Sequence, residues 1–143
     1  MTRVDFYLLA TSDPHSRRVT ACRVIEKAYR QGHKIYLHTS SEDETQMLDD
    51  LLWTFRQGSF VPHEVNPASA EAPVVVGHGA APEGMSDVLV NLGEDVPAGF
   101  ERYARVAEFI DEDEAVKRAG RVRYKQYKDG GYSPETHKLD GGA

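Results

Sequence analysis

The first 55 residues switch three times between two apolar periodicities, and this restricts the fold more than any other feature of the chain. Val4–Leu9 is a β-rich apolar run, which reads as a buried strand. Thr11-Ser12-Asp13-Pro14 interrupts it. From about Ser16, Val19, Cys22, Ile25, Ala28 and Tyr29 recur at three-to-four spacing, the stripe of a helix packed on a core, and Gly32 stops it. Lys34–His38 reads as a second strand. Ser41 with Glu44 three residues later is a capping-box pattern, and Met47, Leu48, Leu51, Leu52 and Phe55 line the helix it opens. The order β-α-β-α calls for parallel strands joined by right-handed crossovers.

The remainder is less regular. The breakers Gly58, Pro62 and Pro67 make Arg56–Ala72 read as a long loop. Short strands are expected at Pro73–Val76, Asp87–Leu92 and Arg105–Ile110, with a turn at Val96–Gly99. A last helix is expected from near Asp111 to about Lys128, its acidic residues in the first turns and its cations later, as the helix dipole favours. Gly130-Gly131 ends it. The expectation is one three-layer, Rossmann-like α/β domain over residues 1–132 with a mostly parallel sheet, followed by an extended, partly disordered tail over 133–143.

Several chemistries are disfavoured. No apolar run approaches the roughly 18 to 20 residues of a membrane span, and the N-terminal apolar stretch is too short for a signal peptide. A single cysteine, Cys22, rules out an internal disulfide and multi-cysteine metal sites, and a reducing, cytoplasmic setting follows most simply. Its place on the first helix's apolar stripe marks it as a small buried hydrophobe. The six histidines form no metal-ligand spacing. Gly77-His78-Gly79 begins like a dinucleotide-binding loop. However, Pro82 stands where the third glycine belongs, and too few residues precede the next strand for the crossover helix that pyrophosphate needs. A nucleotide-binding enzyme using the Gly77–Gly79 loop is therefore the alternative reading. The leading one is a binding protein with no catalytic, cofactor or metal residues.

The strongest functional signal is Lys117–Lys128, KRAGRVRYKQYK, with six basic residues and no acidic one in a chain of net charge −6. The chain's other 11 Lys and Arg face 23 Asp and Glu. Such a basic island steers an acidic partner to one place. At about 100° per residue, Ala115, Ala119 and Val122, with Val116 beside them, are expected to pack on the sheet. Lys117, Arg121, Tyr124, Lys125 and Lys128 then share the opposite side, and Arg123 projects nearer the packed face. Tyr124 among cations suits a ligand that is both acidic and aromatic. A merely solvated basic face is the competing account. In the loop after Trp53, Phe60 and Val61 read either as core lids or as an exposed patch for a protein partner.

Taken together, VDFYLLA, LLWTFRQGSFVPH, SDVLVNLG, RVAEFIDEDEAVKRAGRVRYKQYK and GGYSPETHKL resemble the chi-subunit family of bacterial DNA polymerase III over nearly the whole chain. The S-F-V-P-H loop and the R-x-R-Y-K-x-Y helix carry the most specific part of the match. The resemblance implies a non-catalytic adaptor of the clamp-loader assembly, Rossmann-like but without nucleotide chemistry. Such an adaptor binds the psi subunit on one side. On the other it binds the acidic C-terminal tail of single-stranded DNA-binding protein (SSB), which ends in Asp-Phe-Pro-Phe, and it meets DNA only indirectly. It also implies tail-binding roles for Lys117, Arg121, Tyr124, Lys125 and Thr136, and psi-facing roles for Phe60 and Ile110. The ending Leu139-Asp140-Gly141-Gly142-Ala143 departs from the family pattern.

Overall fold

A computed structural model describes residues 1–66 and 71–139. Seven strands form one sheet in the order β3-β4-β2-β5-β6-β1-β7, and every pairing is parallel. In chain order the elements are β1 (Arg3–Leu9), α1 (Pro14–Arg30), β2 (Ile35–Thr39), α2 (Glu42–Thr54), β3 (His63–Val65), β4 (Val74–His78), β5 (Val88–Asn91), β6 (Arg105–Ile110), α3 (Glu114–Asp129) and β7 (Glu135–Leu139).

The central strands are buried on both faces, and their alternating side chains feed two cores. Ile35, Leu37, Val74, Val76, Val88 and Val90 meet Cys22 and Ile25 of α1 and Leu48 and Leu52 of α2. Tyr36, Val75, Leu89, Phe6 and Val106 face the other way, toward Tyr127 of α3 and the Phe100–Tyr103 turn. This is the expected three-layer α/β arrangement, with a sheet that is wholly parallel. Burial pushes the Cys22 thiol up to about 12, so it stays a neutral packing group.

Local chemistry sets the helix starts. Asp13 caps α1, and Pro14 occupies the first turn, where a missing N–H costs nothing. At α2 the Ser41 hydroxyl accepts from Glu44 N at 3.1 Å, while the Glu44 carboxylate accepts from Ser40 N at 3.1 Å. The reciprocal bond thus reaches one residue further back than a standard capping box.

The structure corrects the sequence reading at four points. The expected Arg56–Ala72 loop contains β3, an edge strand of three residues, while residues 67–70 of it lie outside the described residues. α3 begins at Glu114: Asp113 is its N-cap, accepting from Val116 N, and Asp111 is buried before it, accepting from Asp113 N. Within the segment expected as a tail over 133–143, Glu135–Leu139 is a strand paired with β1, and 140–143 lie outside the described residues. Finally, α3 is rotated from the expected face. Ala115 is exposed and Val122 is 56% exposed, whereas Gly120, Arg123 and Tyr127 are buried.

The rotation has an electrostatic cause. Glu108, in the middle of β6, is fully buried and accepts from Arg123 Nε at 3.0 Å, Tyr127 Oη at 2.8 Å and Asn91 Nδ2 at 2.9 Å. Arg123 Nη1 also donates to Glu94 O at 2.8 Å. Burial pushes the Glu108 carboxyl up from its ordinary value, and Arg123 with the two neutral donors pulls the other way. Matching the buried Glu108 carboxylate outweighs burying Val122.

β7, the most polar strand, is also held by charge. Buried Asp5 on β1 meets His137 Nε2 at 2.8 Å, Arg3 Nε at 3.1 Å and Arg105 Nη2 at 3.2 Å. Burial raises the Asp5 carboxyl, but these partners outweigh it and hold it below its ordinary value.

The Gly77–Gly79 segment is no phosphate cradle. No helix stands between β4 and β5. A Cβ at Gly77 would lie 2.5 Å from Asn66 Oδ1 and 3.0 Å from the Tyr36 hydroxyl, so this glycine serves close packing.

Glu108→Ala leaves Arg123 buried without its counter-ion and is expected to cost about 3–5 kcal/mol in urea unfolding, whereas Glu108→Leu with Arg123→Met recovers most of that loss. A single-variant loss under about 1 kcal/mol would contradict the anchoring role.

Candidate functional site

Because Arg123 and Tyr127 face the sheet, the next strip of α3 leans over the exposed end of β1 and β6. Gly120 permits the close approach: a Cβ there would stand 2.5 Å from Ile110 Cδ1. A cleft of about 220 Å³ results. Phe6 and Leu8 of β1 and Ile110 of β6 form its floor, and Lys117, Arg121, Tyr124 and Thr136 form its rim. Tyr124 is half-buried, edge-on to Phe6 with ring centroids 5.2 Å apart, and the Lys128 ammonium lies 5.8 Å from the Tyr124 centroid. Thr136 is brought to the rim by its register opposite Phe6 in the β1–β7 pairing.

The cations of this face are not equivalent. Lys117 Nζ pairs with Glu112 at 2.9 Å, and Lys125 Nζ pairs with Asp129 at 2.7 Å. Their neighbours hold both ammonium groups above the ordinary lysine value, through the Glu112 and Asp129 hydrogen bonds respectively. Among the described residues Arg121 has no ion-pair partner, so its guanidinium is the cation at the rim ready for an anion. A ligand with an apolar end and a carboxylate beside it satisfies floor and rim together.

Of the five positions expected to bind an acidic tail, four therefore line one cleft, and Lys125 stays on the solvent side of it. Ile110 does not join Phe60. It is 8% exposed and floors the cleft, while Phe60 precedes β3 at the far edge of the sheet, four strand spacings or on the order of 20 Å away. Sequence reasoning missed Phe6, Leu8 and Gly120. Phe6 and Leu8 share one face of β1 by simple alternation, but only the α3 placement shows which face.

The loop after α2 divides as neither single expectation had it. Val61 is fully buried, while Phe60 is 69% exposed and packs on the 46% exposed Trp53 at 5.5 Å between ring centroids. The buried His63 ring lies beneath, 4.3 Å from Trp53, with Nε2 2.8 Å from Asp49 Oδ1. Trp53 and Phe60 form an apolar patch, with Asp49 bound to the His63 ring beneath it.

Two other places merit a chemical reading. A cavity of about 300 Å³ opens at the carboxyl ends of the strands between α1 and α3. There Arg17, Arg18 and Arg123 are offset by Glu44, Glu94, Asp111 and Asp113, so it offers no positive field for phosphates. Asp5, Glu135 and His137 bring ligand-type atoms within 4.8 Å of one another. Arg3 and Arg105 already supply the positive charge there, so the group acts as a strut between β1 and β7. No helix among the described residues is long and apolar enough to cross a membrane.

Known proteins match this chain at two levels. By fold, it superposes on T4 UvsW with a TM-score of 0.64 at 9% identity, covering 97% of this chain and 42% of that one. It also superposes on the Mss116p DEAD-box helicase domain 2, bound to an RNA duplex, with a TM-score of 0.58 at 10% identity, covering 94% and 63%. These likenesses are of architecture alone. By sequence, it is 42% identical over 139 residues to DNA polymerase III subunit chi of Pseudomonas aeruginosa, covering 97% of this chain and 98% of that one. It is 27% identical over 146 residues to the Escherichia coli subunit of the same name, covering 95% and 97%. The model of the DNA polymerase III chi subunit, HolC, matches residues 1–135. The chain therefore belongs to the DNA polymerase III chi subunit family.

Proposed function

We propose that this chi-family chain is a non-catalytic adaptor of the replicase, joining the psi subunit to the acidic C-terminal tail of SSB. The observation that carries the reading is the cleft under α3. Its apolar floor takes the terminal phenylalanine ring, and Arg121 takes the adjacent carboxylates. Lys117, Lys125 and Lys128 add the field that draws an acidic tail to this face. Because Lys117 and Lys125 are already paired internally, Arg121 carries most of the anchoring. Phe60 is assigned to psi together with Trp53, which the sequence reading had not named; psi would bring apolar side chains to cover this exposed aromatic pair. Ile110, expected at psi, is reassigned to the tail cleft on the strength of its position.

Two measurements test the tail assignment by fluorescence anisotropy with a labelled peptide ending in Asp-Phe-Pro-Phe. Removing a charge-assisted anchor costs about 1.5–3 kcal/mol, so Arg121→Ala is expected to weaken binding about 10- to 100-fold, and amidating the terminal carboxylate should do the same. Binding that is unchanged in both cases, or matched by naked single-stranded DNA, would overturn the assignment.

Gly120→Ala tests the floor. The new methyl pushes Ile110 Cδ1 toward the cleft, while helix propensity returns up to about 1 kcal/mol. The variant should keep its melting temperature within a few degrees yet lose several-fold in peptide affinity. Full affinity in a folded variant would place the peptide elsewhere.

A further inference from the structure

Glu26 belongs to neither docking surface, yet this single carboxylate of α1 has three partners, Arg56, Ser59 and Arg30. It is 8% exposed on the side of α1 that faces the loop after α2. One Arg56 nitrogen reaches both its oxygens at 2.8 Å, the Ser59 hydroxyl donates to it, and Arg30 of its own helix lies 3.6 Å away. Burial pushes the Glu26 carboxyl up, but the Ser59 hydroxyl and the two guanidinium groups outweigh it and hold it below its ordinary value.

Arg56 and Ser59 are the two ends of a turn closed by Ser59 N donating to Arg56 O at 3.2 Å, with Gly58 at φ +81° between them. Phe60 follows directly. Its own burial does not fix its direction, since it is 69% exposed and, among the described residues, its one aromatic contact is Trp53. What orients it is the turn before it and the buried Val61 after it. Val61 is secured by packing; the turn is secured by Glu26.

We infer that Glu26 is a positioning residue for the Trp53–Phe60 docking surface: it clamps the Arg56–Ser59 turn onto α1 so that Phe60 is held over Trp53 before a partner arrives. A preset aromatic pair saves the ordering cost that a loose loop incurs on binding. The inference rests on the reading that this patch docks psi.

Trp53 is the chain's only tryptophan, so its fluorescence reports the patch without labelling. The full chain would be compared as wild type, Glu26→Gln, Arg56→Gln and the double variant. Acrylamide quenching of Trp53, affinity for purified psi and affinity for the SSB tail peptide would each be measured. Either single variant is expected to raise the quenching constant about twofold and weaken psi binding about tenfold. The double variant should be no worse than the singles, because both remove one clamp, and tail affinity should be unchanged. Quenching and psi affinity like wild type in Glu26→Gln would overturn the role. So would a parallel loss of tail affinity, which would mark general loosening instead. If wild-type protein does not bind psi, the docking reading fails, and the quenching comparison alone then decides whether Glu26 holds the turn.

Discussion

The buried pair of Glu108 and Arg123 sets the geometry on which the rest of the α3 side depends. A carboxylate in the middle of a central strand is expensive to bury, and only a donor set as complete as Arg123, Tyr127 and Asn91 makes it tolerable. Satisfying it fixes the rotation of α3 about its axis. That rotation brings Gly120 down onto Ile110 and stands Arg121 and Tyr124 at the rim of a cleft. The same Arg123 ties the loop at Glu94 to the helix. One interior ion pair thus orients a surface that it never touches.

The two candidate surfaces lie far apart and differ in chemistry. The cleft is an apolar floor under cations, suited to an acidic chain end. The Trp53–Phe60 patch is an exposed aromatic pair, suited to an apolar partner surface. They share the sheet as a rigid spacer, since β6 and β1 carry one and the β3 edge with α2 carries the other. The sheet itself resembles that of nucleic-acid helicase domains in architecture. Here, however, the β4–β5 connection has no helix, and Gly77 is packed against Tyr36 and Asn66.

What could be read from sequence follows from where free energy is local. β1, α1, β2, α2 and β6 were legible because their apolar periodicity and their caps, Asp13 and Ser41 among them, lie within each segment. β3 has three residues, and β7 reads Glu-Thr-His-Lys-Leu, so neither carries an apolar alternation. β7 is a strand because Asp5, 132 residues before His137, supplies a partner across the sheet. The face of α3 was misjudged because counting apolar residues ignores a buried acid on another strand. The cationic rim was legible as a run in one helix, whereas the floor required three side chains from two strands. The placement of Ile110 was not legible for the same reason: its contact with Gly120 depends on how α3 lies on the sheet, not on its own sequence context.

The most direct test of two separate surfaces on one rigid sheet is a two-step titration followed by ¹⁵N–¹H correlation spectra, adding the SSB tail peptide and then psi. The account predicts that the peptide moves the amides of Gly120, Arg121, Tyr124 and Thr136 and leaves the Trp53 indole N–H in place. Psi should then shift the Trp53 indole without reversing the first set. A peptide that moves the Trp53 indole, or psi that displaces the peptide, would contradict it.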